Sequence, residues 1–404
     1  MRLHSIDARP HVQGDAAPLR LTDHGRELTD GAGLLLLRGL WDRLHLGARI
    51  DQRTARIDHR YRSSLFIESW MALLWYGGGA MTDLAALAER GVPRLFGWRR
   101  VPDATTFGRW LRRGGQRMLI VLDELVWYVV RARWAERGVP GRVLLIMDST
   151  VVTRYGEKQA GAVKGYNPTK KGRPSHHPLL AFTDEGDCLG VRWRDGAAHT
   201  ADGAPAWLRT IVARLRQAGV IEILVRLDKG FFSKDLVAVL ADLGVQFVLK
   251  VPDHAWVQRK LSGYRQSQKD PRLWTATGSL YEARLCSVER RRPVETTLGV
   301  TTWEREDRSV AHMLTNITAL TAVEAWRLYN AGAVVEQRIK ELYQLGFGQT
   351  AIDDRDGNAI LSALGVVAYQ LLHVVRTTAL TGDQRWAAPA TLRTWVFRMP
   401  AKLV

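Results

Sequence analysis

The sequence predicts an α/β fold: a sheet flanked by helices, interrupted by a β-rich insertion and preceded by a mostly helical region. Three observations predict it. The grammar changes at Gly141, from long segments with helical apolar periodicity to short apolar runs of strand length. The runs and helices after that point follow a definite order. Beyond Val251 the pattern shifts again, to short alternating segments.

Before Gly141, "GAGLLLLRGLWDRLHL" and "SSLFIESWMALLWYGGG" repeat apolar residues at helical spacing. The segment "GGGAMTDLAALAERGVPRLFGWRRVPDATTFGRWLRRGGQRM" reads as short helices broken by glycine and proline. Asp103 is placed to cap a helix that turns Phe107, Trp110 and Leu111 inward and leaves Arg109, Arg112 and Arg113 on its remaining surface. That pattern fits either a helix-turn-helix-like DNA reader or a plain helical bundle with solvated arginines. After Gly141, "RVLLIMDSTVV", "HHPLLAFTD" and "CLGVRWRDG" are three strands, with "DEGD" turning between the last two. "ADGAPAWLRTIVARLRQAG" is an amphipathic helix, "IEILVRLD" a strand, "SKDLVAVLADLG" a helix and "VQFVLKVP" a strand. Three strands, helix, strand, helix, strand is the order of a ribonuclease-H-like core. "LWTATGSLYEARLCSVE" and "VETTLGVTTWERE" then form the β-rich insertion, and "TAVEAWRLYNAGAVVEQRIKELYQ" and "GNAILSALGVVAYQLLHVVRT" return to helix. The expected organisation is a helical DNA-binding region over 1–140, core over 141–250, β insertion over 251–312, core again over 313–376 and a tail over 377–404.

Hydrophobic residues make up 46% of the 404 and charged residues 25%, ordinary values for a globular chain and too apolar for long disorder. The net charge of +17 is not ordinary. A chain this basic is suited to a polyanion, nucleic acid first among them. Cys188 and Cys286 are the only cysteines, which excludes a disulfide framework and a cysteine-based zinc site and suits a reducing cytoplasm. The N-terminus "MRLHSIDARPHVQG" lacks an apolar signal core, and "AILSALGVVAYQLLHVV", with Gln370 and His373 inside it, reads as a core helix rather than a membrane span. The expectation is a soluble cytoplasmic protein with no membrane partner.

The candidate chemistry lies in three acids. Asp148 and Asp228 each close an apolar strand, where side chains escape the core of an α/β sheet. Glu336 sits in a helical segment beside an apolar stripe of Leu328, Val335, Ile339 and Leu342, on a face shared with Tyr329, Gly332, Lys340 and Tyr343. Singly, each acid reads better as a turn cap or a surface ion pair than as part of a site. Together, in the order strand, strand, helix on a very basic chain, they read as one site. Beside the first acid lies "KGYNPTKKGRPSHH", with Lys164, Lys170, Lys171 and Arg173 on a Gly- and Pro-rich loop and Tyr166 available for stacking. The chain has no lysine before Lys158, so this cluster is pronounced.

These residues resemble the DDE transposases of bacterial insertion sequences, specifically the insertion sequence 1380 group, relatives of the Tn-five-type enzymes. The resemblance runs through "DLAALAERGVPRLFGWRRVPDATTFGRWLRR", "DST", "GYNPTKKGRPSHHPLLAF", "RLDKGFF", "YNAGAVVEQRIKELYQ" and "GNAILSALGVVAYQLL". It implies that Asp148, Asp228 and Glu336 are the catalytic acids and hold two Mg²⁺ ions per site, with Mn²⁺ as a substitute. It implies as partners the double-stranded DNA of transposon ends and target, and a homodimer in the paired-end complex, in the nucleoid of a bacterium. In the family's glutamate helix a Tyr is followed three residues on by Arg, then by the Glu and a Lys. Here Tyr329 and Glu336 fit, but Gly332 replaces the arginine and Tyr343 the lysine, leaving Arg338 or Lys340 to supply the cation. An aromatic from the β insertion is expected to hold a flipped base, and Trp274 and Trp303 are the candidates. Two other readings stay open: a decayed or domesticated transposase that binds DNA without cutting it, and a nuclease that acts on DNA structure.

Overall fold

The structure is a computed structural model that describes residues 21–22, 28–57, 61–89, 91–156, 159–295, 301–331 and 334–403. The chain divides into two compact units. One comprises Trp134–Glu157 and Gly161–Arg338, the other Met1–Arg133, Lys158–Ala160 and Ile339–Val404.

The unit that carries the acids is built on a nine-stranded sheet. Its strands in chain order are β1 (Arg142–Ser149), β2 (Leu179–Thr183), β3 (Cys188–Arg192), β4 (Glu222–Leu227), β5 (Gln246–Val251), β6 (Arg265–Gln266), β7 (Leu273–Leu280), β8 (Ala283–Glu295) and β9 (Thr301–Thr315). Their spatial order is β6-β7-β8-β9-β5-β4-β1-β2-β3. β1, β2 and β3 form an antiparallel meander, whereas β4 runs parallel to β1 and β5 parallel to β4. The parallel pairs need crossovers, which α1 (Ala204–Gln217) and α2 (Lys234–Asp242) belong to. β1 is an interior strand, and Val143, Leu145, Ile146 and Met147 are all buried; full burial of such side chains contributes roughly 1.5–3 kcal/mol each.

One strand expectation changes. "HHPLLAFTD" is not one strand: it breaks at His177 and Pro178, and its first residue, His176, belongs to a separate small sheet of Val152–Thr153, Pro174–His176 and Val163–Lys164. Proline lacks the amide a continuous ladder needs. The β-rich stretch continues the same sheet, because β9 pairs antiparallel with β5. Tyr281 and Glu282, the turn between β7 and β8, both adopt left-handed backbone (φ 49° and 61°), the conformation a tight two-residue hairpin requires.

The segment read as one helix around Glu336 is two, α3 (Ala322–Asn330) and α4 (Val334–Gln344). Glycine is a poor helix former, and the sequence puts Gly332 between them, although that residue lies outside the described ones. Thr321 caps α3 through a reciprocal pair with Glu324. α3 packs Val323, Ala325 and Tyr329 against Val248, Leu273, Cys286, Val288 and Met313 of the sheet.

The other unit is mainly helical. Ser63–Tyr76 buries nearly every side chain, as does Arg355–Thr378, the one helix among the described residues long and apolar enough to cross a membrane; its apolar window is wholly buried within the fold. Ala104–Arg137 begins behind Asp103, whose Oδ1 accepts from Thr106 N–H at 2.9 Å, and it leaves helical geometry at Gly115 (φ 47°). Leu21–Thr22, Leu28–Thr29 and Ala401–Leu403 join both ends of the chain in a small sheet.

Candidate active site

β1 delivers Asp148 at its C-terminal end, and the parallel neighbour β4 ends one residue before Asp228. The register pairs Met147 with Leu227, so the two acids leave adjacent strands side by side. Asp148 is partly buried, and its Oδ1 accepts from the N–H of Ser149 at 2.7 Å. Burial pushes its carboxyl up to about 6; the Ser149 N–H and the Arg226 cation pull it down, while the charges of Asp228 and Glu336 push it further up. Asp148 therefore lies in the field of both other acids, and a raised carboxyl beside other carboxylates makes this a candidate functional site.

Asp228 is held from α3. Tyr329 Oη donates to its Oδ1 at 2.8 Å, and burial together with the Asp228 charge pushes the phenol further up, so that it stays a donor. Arg226 Nε donates to the Tyr329 carbonyl, its guanidinium lies 4.5 Å from the Tyr329 ring centre, and Lys250 Nζ lies 5.3 Å from it on the other strand. Neither cation was singled out from sequence. The signal was there for Arg226, which stands two residues before Asp228 and so shares its face of the strand.

Behind Asp148 runs a polar network that sequence reading also missed. His177 Nδ1 donates to the Ala198 carbonyl at 2.7 Å, which leaves Nε2 to accept from Ser149 Oγ at 3.0 Å; burial holds the ring below its ordinary pKa and so neutral. Ser149 Oγ is 3.3 Å from Thr200 Oγ1, and a Cβ at Gly230, two residues past Asp228, would press on the Thr200 side chain at 3.0–3.2 Å. One hydroxyl cluster thus braces the chain just after both aspartates.

Glu336 is exposed on the first turn of α4. Among the described residues, no three His, Cys, Asp or Glu side chains are gathered closely enough to enclose an ion. The donor set nevertheless fits a hard divalent cation, since every candidate ligand is a carboxylate and both cysteines are buried. Asp148 has an unmet need for positive charge that Arg226 only partly offsets.

The basic loop stands in solvent. Lys164, Tyr166, Lys170, Lys171 and Arg173 are all exposed, Tyr166 to 71%. Its anchor is Asn167, which is buried, donates to Thr153 Oγ1 at 2.9 Å and accepts from Lys170 N–H at 2.9 Å. Gly165 and Gly196 pack backbone to backbone, and a Cβ on either would fall within 2.0 Å of a carbonyl oxygen. In the helical unit, Phe107, Trp110 and Leu111 are buried, Arg109 and Arg113 are exposed, and Arg112 reaches Asp353 at 2.8 Å. Arg338 is half-buried, Lys340 is exposed, and Tyr343 is exposed with its ring edge against Phe347. Trp274 carries the Arg291 guanidinium 4.0 Å from its ring centre, and Trp303 faces Pro293 across the β8–β9 ladder. Phe232, four residues past Asp228 and partly exposed, has the rings of Trp256 and Tyr281 with centres 6.2 and 6.0 Å from its own.

The family model described as "Transposase DDE domain group 1" matches residues 12–404. The chain belongs to that family. No curated protein matches it. Among solved structures, it is similar to a piggyBac transposase in a synaptic complex with hairpin DNA, at 12% identity and a TM-score of 0.46, over 93% of this chain and 83% of that one. As a member of the DDE transposase family, the chain is expected to move DNA by phosphodiester cleavage, and such enzymes generally use divalent metal ions.

Proposed function

We propose that this protein is a metal-dependent transposase of a bacterial insertion sequence, of the insertion sequence 1380 group, that cuts the terminal repeats of its element and joins them to target DNA. The observation that carries the reading is the pairing of Asp148 and Asp228 on adjacent parallel strands, with Glu336 in their field. The strand order supports a ribonuclease-H-like core: a three-strand antiparallel meander followed by two strands parallel to its first.

Asp148, Asp228 and Glu336 would hold Mg²⁺ or Mn²⁺. Bound there, the metal supplies charge relief at the leaving oxygen and acidity to the attacking water or 3′-hydroxyl. The chain's own groups do the rest. Tyr329 fixes one oxygen of Asp228, and the Ser149–His177–Thr200 cluster holds the backbone that follows both acids. Lys164, Lys170, Lys171 and Arg173 grip backbone phosphates, which positions DNA without reading it. Arg109 and Arg113 offer a second such surface in the helical unit. The active form on DNA is a homodimer with paired ends.

One observation favours a DNA-binding protein without catalysis: an exposed Tyr343 stands where the family has a lysine. Strand cleavage separates the readings. Incubated with Mg²⁺ and a duplex carrying the element's terminal repeat, the chain is expected to nick at the repeat end; specific binding with no nick in either Mg²⁺ or Mn²⁺ would establish the alternative. Cutting that ignores the repeat would mark a structure-directed nuclease.

A further inference from the structure

The helical unit contains a cavity of about 440 Å³ lined by Tyr61, Leu65, Gly97, Trp98, Arg99 and Arg100. That is within the size range of small-ligand sites. It is remote in sequence from Asp148, Asp228 and Glu336, and its walls are set by a buried carboxyl group. Glu68, only 5% exposed, accepts from Trp98 Nε1 at 2.7 Å and from Arg38 Nη1 at 3.1 Å, and Arg38 also donates to the Phe96 carbonyl at 3.0 Å. Trp98 stacks on Phe96 with ring centres 4.4 Å apart, and its backbone N–H donates to the Pro93 carbonyl. The indole is thus fixed before any ligand arrives. Tyr61 is fixed from the other side by an edge contact with Phe66. Arg99 and Arg100 are exposed at the lip, and neither has an ion-pair partner among the described residues.

We propose that this cavity seats one unpaired DNA base between Tyr61 and Trp98, with Arg99 and Arg100 on its flanking phosphates. The inference deepens the transposase reading and rests on it for the choice of DNA. Aromatic walls with a cationic lip are the arrangement that binds extruded or single-stranded nucleotides by stacking plus backbone charge. Arginines alone would suffice for a duplex backbone; the pre-set apolar recess is what a base uses.

The test uses the full-length chain in EDTA, so cleavage plays no part. The probes are a labelled 25-base-pair duplex and the same duplex with one extrahelical 2-aminopurine. Wild type is expected to prefer the bulged duplex and to quench its 2-aminopurine. Arg99→Gln/Arg100→Gln, both on exposed positions, is expected to weaken binding about ten-fold and to flatten the salt dependence by roughly two phosphate contacts. Tyr61→Ala is expected to remove the preference for the bulge, about ten-fold, with little change on the plain duplex. An unchanged salt slope in the arginine variant, no 2-aminopurine quenching by wild type, or an equal loss on both duplexes with Tyr61→Ala would overturn the proposal. None of those results bears on strand cleavage, which stands or falls on its own assay.

Discussion

Asp148→Asn is expected to abolish strand cleavage while making the metal-free protein more stable. The activity loss should reach about a thousand-fold or more, because metal catalysis is worth several kcal/mol and each ~1.4 kcal/mol is a factor of ten. The stability gain follows from the site's electrostatics. With its carboxyl pushed up to about 6, folded Asp148 holds a proton more tightly than an unfolded aspartate at about 3.9. Stability is therefore lost as pH rises through that interval, and the whole penalty is present above it. Asparagine carries no such penalty. In EDTA at pH 7.5 the variant should unfold a few degrees higher than wild type, a difference of roughly 2 kcal/mol after allowance for partial exposure, and at pH 4 the two should coincide. Adding Mn²⁺ should raise the wild-type midpoint and leave the variant's unmoved. Thermal unfolding across pH 4–8, with and without metal, reads all of this; a variant less stable than wild type at pH 7.5 would contradict the assignment of Asp148 as a functionally strained acid.

Glu341→Ala is expected to be the most destabilising single change in the helical unit. Glu341 on α4 meets Arg376 on Arg355–Thr378 at 2.6 Å, with both side chains 3% exposed. Removing one partner of such a pair leaves a charge buried and uncompensated, at about 3–5 kcal/mol. Arg376 also donates to the Ala387 carbonyl, so the guanidinium cannot simply turn away. The midpoint should fall by about 10 °C. The double variant Glu341→Met/Arg376→Met, which removes both charges at similar volume, should recover most of that loss. Equal midpoints for wild type and Glu341→Ala would show that the pair contributes nothing.

Much of the site could be read from the sequence because period and position carry it. Asp148 follows an unbroken apolar run and Asp228 a largely apolar one interrupted by Arg226, so their place at strand ends needed no tertiary information. Phe107, Trp110 and Leu111 turned inward as their spacing required. What stayed hidden depended on long-range pairing. Nothing local to β9 says that it joins β5, and nothing local to His177 says that Ser149 is its partner. Tyr329 and Glu336 were placed on one helical face, yet α3 and α4 separate them, and the tyrosine's role comes from a contact with Asp228 across a hundred residues of chain. The Arg376 and Glu341 pair is equally silent in sequence, where both residues look like ordinary surface charges.

The central claim is that Asp148 is a metal ligand, and a change of metal preference tests it most directly. Asp148→Cys replaces a hard oxygen donor by sulfur, which Mg²⁺ accepts poorly and Mn²⁺ tolerates better. Cleavage of the repeat-end duplex should be lost in Mg²⁺ and partly restored in Mn²⁺, with wild type active in both. Wild-type rates for Asp148→Cys in Mg²⁺ would contradict the account.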